Sequence, residues 1–145
     1  MKKITVGLLA CWFALQGLAA EELNWQTDLP KAQEQAKKEG KLILMDFTGS
    51  DWCPWCIKLH NEVFSKPEFA DYAKKNLVLV IVDFPRTKPQ SDELKKANDA
   101  LQRKFKIEGY PTVIVTDAAG KKVGDLGYEP GGPKPFIEKL AKLKS

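Results

Sequence analysis

Two spacings of apolar residues alternate along the chain. Lys41-Leu42-Ile43-Leu44-Met45-Asp46-Phe47 is almost wholly apolar, and so is the run over residues 77–82 that ends at Asp83. Unbroken apolar runs of this length predict strands covered on both faces. Residues 112–116 predict a third strand. Asp117-Ala118-Ala119-Gly120 then makes a tight connection to a fourth, around residues 121–126, so this pair reads as an antiparallel hairpin. Between the strands the spacing becomes helical. Asp28 caps a helix with Pro30 in its first turn, Leu29, Ala32 and Ala36 as its stripe, and Gly40 as its stop. A second helix starts near Cys53, tolerates Pro54 in its first turn, and offers Ile57, Val63 and Phe64 as core positions. Ser65-Lys66-Pro67-Glu68 reads as a capping box that opens a further helical segment, with Phe69, Tyr72 and Ala73 inward. Ser91 caps a helix with Asp92 and Glu93 in its first turn and Leu94, Ala97, Leu101 and Phe105 on one side. Residues 84–90 and 127–135, rich in Pro or Gly, read as loops, and residues 136–142 as a last helix. Leu23-Asn24-Trp25-Gln26 is either a short strand or an anchor for Trp25. The order β–α–β–α–β–α–β–β–α implies parallel crossovers plus an antiparallel edge, hence a mixed sheet with helices on both faces.

The first twenty residues stand outside that pattern. Met1-Lys2-Lys3 is a short basic start, an apolar stretch follows, and Gly17-Leu18-Ala19-Ala20 supplies small residues before Glu21. This is the form of a secretory signal peptide over residues 1–20, leaving a single domain over residues 21–145. Two rivals are an uncleaved membrane anchor, for which the apolar run is short and interrupted by Gln16, and a lipoprotein cleavage site at Leu8-Leu9-Ala10-Cys11, which lies too close to the lysines. Composition fits an ordinary soluble globule, with 43% hydrophobic and 29% charged residues. The net charge is +4, and two of the positive charges, Lys2 and Lys3, fall in the leader. The remaining lysines are scattered over predicted helix faces, which gives no case for nucleic acid.

Removing the leader removes Cys11 and leaves Cys53 and Cys56 alone. A secreted protein that uses cysteine structurally spreads its disulfides through the chain. One bridge closing so small a ring adds little stability in the chain-entropy view, so the pair points to chemistry. It also lies where a strand gives way to a helix. A cysteine at a helix N-terminus faces unpaired N–H groups and the positive end of the dipole, both of which favour thiolate, the attacking species in disulfide exchange. Metal is the rival. Cys53, Cys56 and His60 are three ligands where structural zinc wants four, while Cu(I) accepts fewer, which leaves a copper carrier as an alternative. His60 otherwise reads as a helix-surface residue. Haem attachment needs His directly after the second Cys, and Ile57 is there.

Trp-Cys-x-x-Cys at residues 52–56 after the first long strand, with Gly109-Tyr110-Pro111-Thr112 before the hairpin some fifty-five residues on, resembles the thioredoxin superfamily. The likeness spans roughly residues 24–143. Asp46-Phe47 through Cys56, then Glu62-Val63-Phe64-Ser65, looks most like secreted bacterial thioredoxin-like proteins and the C-terminal domain of the periplasmic thiol:disulfide interchange reductase. The resemblance implies a thioredoxin-like three-layer α/β/α fold with a central mixed sheet, and a monomeric, periplasmic or secreted thiol–disulfide oxidoreductase acting on protein substrates with a redox partner protein. No dissociable cofactor and no metal are implied. Cys53 would be the exposed nucleophile and Cys56 the more buried resolving thiol. Pro111 would be cis, with the Tyr110 backbone pairing to an extended substrate and Trp52 shielding the site. Trp55 reads either as a substrate contact or as merely exposed, and a large apolar ring between the thiols favours contact. Asp46 would help deprotonate Cys56, but it lies seven residues before Cys53, one more than is usual in thioredoxins, and the accompanying lysine, expected near Leu79, is absent. A proton shuttle and a strand-end acid bonded to backbone both remain open for it. Proline leads the Pro54-Trp55 pair, as in glutaredoxins and in the strongly oxidising periplasmic oxidase, so its order leaves the redox direction open.

Overall fold

The computed structural model describes residues 22–144, so the expected leader lies outside the described residues. The elements run β1 (Trp25–Gln26), α1 (Leu29–Glu39), β2 (Leu42–Thr48), α2 (Pro54–Leu59) continued by a π turn (His60–Phe64), α3 (Pro67–Asn76), β3 (Leu77–Asp83), α4 (Asp92–Lys104), β4 (Thr112–Thr116), β5 (Lys122–Leu126) and α5 (Pro133–Leu143). The sheet order is β1-β3-β2-β4-β5. β2 and β3 pair in parallel along their whole length, β1 adds two parallel residues beside β3, and β4 and β5 are antiparallel. The doubtful first strand is therefore real but minimal.

Period-two alternation sorts β2 between the two helical layers. Ile43, Met45 and Phe47 pack with Ala32 and Ala36 of α1, and Leu101 and Phe105 lean onto the same cluster. Leu44 points the other way, into a cluster with Leu59, Val63, Phe64, Phe69, Phe136 and Leu140 from α2 with its π turn, α3 and α5. The rings of Phe64, Phe69 and Phe136 meet with centroids 4.9, 5.7 and 6.2 Å apart, which locks those three elements together. Asp46 and Thr48 share the face of Leu44, so they look toward α2, the helix that carries the cysteines.

Several local expectations change. The capping box at Ser65–Glu68 does not form: Lys66 is the residue before α3, it makes no side-chain cap, and Pro67 opens the helix. Ser65 instead closes the preceding π turn, its N–H donating to His60 O at 2.8 Å and its hydroxyl to Asn61 O at 2.9 Å. Ile57 is exposed rather than core, because Cys56, Leu59 and Val63 take the inward spacing and Ile57 lies about 100° round the helix from Cys56. Ala97 is likewise exposed, and the inward place beside it goes to Asn98, whose Nδ2 donates to Asp83 O at 3.0 Å. α5 starts three residues before the apolar periodicity, because Pro133 suits a first helical turn.

Candidate active site

β2 delivers the chain into a tight turn. The Gly49 carbonyl accepts from the N–H of Trp52 at 3.2 Å and of Cys53 at 2.9 Å. A Cβ at Gly49 would lie 2.4 Å from the Trp52 indole, so only glycine lets that ring lie flat against the turn. The ring is also fixed elsewhere: its Nε1 donates to Phe84 O at 2.7 Å, and the Arg86 guanidinium stacks 3.9 Å from its centroid. Gly49→Ala is expected to unseat Trp52 and lower stability by about 1–3 kcal/mol, read by urea unfolding.

Cys53 caps α2 and is bonded to Cys56, with Cα atoms 5.2 Å apart. The Cys56 N–H points at Cys53 Sγ, 3.2 Å away. The expected contrast between an exposed Cys53 and a more buried Cys56 is absent in the closed disulfide, where the two are 4% and 5% exposed. The Cys53 sulfur is bonded to Cys56 Sγ and also faces the Cys56 N–H of the helix start. Pro54 and Trp55 take the exposed places between them.

The Tyr110–Pro111 bond is cis. The Tyr110 ring packs edge-on to Trp52 at 5.9 Å and against Phe84 at 5.4 Å, and its hydroxyl accepts from Gln102 Nε2 at 2.7 Å. Trp52, Tyr110 and Phe84 thus form one cluster beside the disulfide. Trp55 is outside it and stacks on Tyr128.

Asp46 is buried on the α2 side of β2. Its Oδ1 has no hydrogen-bond partner among the described residues. Asp46 and Cys56 line one cavity of ≈ 300 Å³, together with Thr48, Ser50, His60 and Lys88. The long spacing between Asp46 and Cys53 is folded into the Gly49 turn, and Asp46 and Cys56 still line the same cavity. Burial, reinforced by the nearby Asp83 charge, pushes the Asp46 carboxyl up to about 7. Its neighbour on β3 is Ile81 rather than Leu79, and it too is uncharged.

Sequence reasoning missed a second carboxylate. Asp51 Oδ1 accepts from Arg86 N at 3.0 Å, and its Oδ2 accepts from Thr87 N, Thr87 Oγ1 and Lys88 N at 2.8, 2.7 and 2.9 Å. These bonds hold its pKa well below the usual carboxylate range, the Arg86 N–H contributing most. Asp51 therefore fastens the loop after β3 to the cysteine turn. Asp83 adds a second tie, accepting from Ser50 N at 3.0 Å and Ser50 Oγ at 2.5 Å. Each partner lies more than thirty residues away, so no local pattern reveals the pairing. Among the described residues no three His, Cys, Asp or Glu side chains gather as a metal site requires.

Residues 29–143 match the thioredoxin-like domain model. The chain belongs to the thioredoxin-like family. One relative within it is the disulfide bond reductase DsbH of Chlamydia pneumoniae, 37% identical over 123 residues, a match that covers 85% of this chain and 74% of that protein. The thiol:disulfide interchange protein DsbD of Vibrio cholerae is 30% identical over 119 residues, covering 80% of this chain but only 18% of DsbD. Among solved structures, a DsbH oxidoreductase superposes with a TM-score of 0.82 at 32% identity, covering 99% of this chain and 94% of that one. This thioredoxin-like chain is thus a thiol–disulfide oxidoreductase by class, with Cys53–Cys56 as its one disulfide among the described residues. No helix among the described residues is long and apolar enough to cross a membrane.

Proposed function

We propose that Cys53 and Cys56 exchange disulfides with protein substrates in the periplasm or outside the cell, and that the domain works as a monomer after its leader is removed. In the reducing direction, Cys53 thiolate attacks one sulfur of the substrate disulfide and expels the other as thiolate. Cys56 then loses its proton to Asp46 and attacks Cys53 Sγ, which releases the second substrate sulfur and closes the Cys53–Cys56 bond. Two electrons pass to the substrate, and a redox partner protein restores the dithiol by the same steps reversed. Tyr110 and Pro111 present backbone to the substrate segment, and Trp52 shields the sulfur.

The observation that carries this reading is the Cys56 N–H aimed at Cys53 Sγ at the start of a helix. In the reduced protein that donor and the helix dipole stabilise a thiolate on Cys53. A relative called a disulfide bond reductase supports the reducing direction. The test is reduction of insulin by the chain lacking residues 1–20, with dithiothreitol as electron source. Catalysed precipitation of the insulin chains is expected, with none from Cys53→Ser. No catalysis from the parent, with Cys53→Ser altering only copper affinity, would replace this reading with a copper-carrying binding module.

A further inference from the structure

Three large apolar side chains are exposed among the described residues, and two of them, Trp55 at 55% and Ile57 at 43%, sit on the turn of α2 that carries the disulfide. Exposed apolar surface gathered at a reactive bond is the mark of an interaction site. Trp55 is also held in place. Its ring stacks on Tyr128 with centroids 5.2 Å apart and 40° between planes. The Lys58 ammonium lies 5.3 Å from the Trp55 centroid and 5.2 Å from that of Tyr128. The Tyr128 hydroxyl donates to Glu62 Oε2 at 2.8 Å, and Glu62 Oε1 stands 3.9 Å from Lys58 Nζ. Side chains from the cysteine helix, its π turn and the loop after β5 thus brace one indole that still shows half its surface to water. An aromatic ring fixed before binding loses little freedom when a partner covers it.

We propose that Trp55, positioned by Tyr128, Lys58 and Glu62, forms a docking platform for the polypeptide that carries the substrate disulfide, and that it favours segments with a large apolar or aromatic side chain beside the cysteine. The proposal rests on the exchange reading above, which also names the occupant: a mixed disulfide at Cys53 brings the partner's backbone beside Trp55, two residues on. The Lys58 and Glu62 charges face one another, so selection comes from apolar contact and is insensitive to salt.

The test uses two disulfide peptides, identical except for Phe or Ala next to the cysteine, and hydroxyethyl disulfide as a small substrate with nothing to reach the platform. The parent chain is expected to prefer the Phe peptide about tenfold in kcat/KM, equally at low and high salt. Trp55→Ala is expected to bring that ratio close to one through KM, Tyr128→Ala to reduce it severalfold, and Tyr128→Phe, which keeps the ring, to preserve most of it. No preference in the parent overturns the platform. So does a loss on hydroxyethyl disulfide in the same proportion as on the peptides, which marks a structural defect. A Trp55-dependent dimer in solution would assign the patch to a second copy of the chain and also overturn it. Failure to reduce any of the three substrates would overturn the exchange reading itself.

Discussion

Serine in place of Cys56 is expected to leave the protein bonded to its partner through Cys53 and unable to turn over. The disulfide form alone does not say which sulfur meets the partner, because both are almost equally covered. The helix decides. Cys53 precedes the first turn of α2 with the Cys56 N–H on its sulfur, and Pro54 and Trp55 beside it face water. Cys56 is one turn inside and faces the cavity that it shares with Asp46. In the proposed exchange the first residue is the one stabilised as thiolate by the helix start, and the second resolves the mixed disulfide once it has lost its proton. Without Cys56 the first step still runs, but nothing resolves the bond. Non-reducing electrophoresis with a disulfide-bonded substrate is expected to show a covalent complex that dithiothreitol dissolves, with catalytic reduction down at the uncatalysed rate. Cys53→Ser is expected to lose turnover equally and to trap nothing. A trapped complex in Cys53→Ser and none in Cys56→Ser would reverse the two roles.

Much of this geometry is legible in the residues. Apolar runs mark β2, β3 and β4 because strands covered on both faces need little else, and the caps at Asp28 and Ser91 fall where local hydrogen bonding dictates. The cysteine turn is legible for the same reason: its chemistry is packed into a few consecutive residues. Failures come where a local signal competes with a neighbouring one. Ser65 has the sequence of a cap, but Pro67 already sets the start of α3, and a π turn claims Ser65 as its end. Ile57 has the composition of a core residue and the wrong angular position. The parts of the site wholly hidden from sequence are its long-range ties. Asp51 looks like any acid before a tryptophan, Arg86 like any basic loop residue, and Tyr128 like a stray aromatic in a Gly-Pro loop. Only folding brings Asp51 to the backbone of residues 86–88 and Tyr128 to Trp55.

Asp46→Asn is expected to raise stability at pH 8 and leave it unchanged at pH 4. The carboxyl titrates near 3.8 in the unfolded chain and at about 7 in the fold, where burial disfavours the charged form. A group whose folded pKa is raised contributes stability that is whole below the unfolded value and is lost as pH rises through the folded one. Between about pH 4 and pH 7 the parent therefore weakens, by about 4 kcal/mol when the pKa difference is converted at 1.36 kcal/mol per unit. Asparagine is neutral throughout, so its gain in urea unfolding opens across that window and is level above it. An equal gain at both pH values would mean altered packing and not charge. Kinetics complete the argument. With Asp46 proposed as the proton acceptor for Cys56 across their shared cavity, the substitution is expected to slow resolution of the mixed disulfide on the order of a hundredfold and to flatten the inflection near pH 7 in its pH–rate profile. A more stable protein that resolves more slowly is the outcome to expect if the carboxylate is kept for proton transfer and not for folding. A variant that gains stability with its resolution rate intact would leave the acid without a part in the exchange.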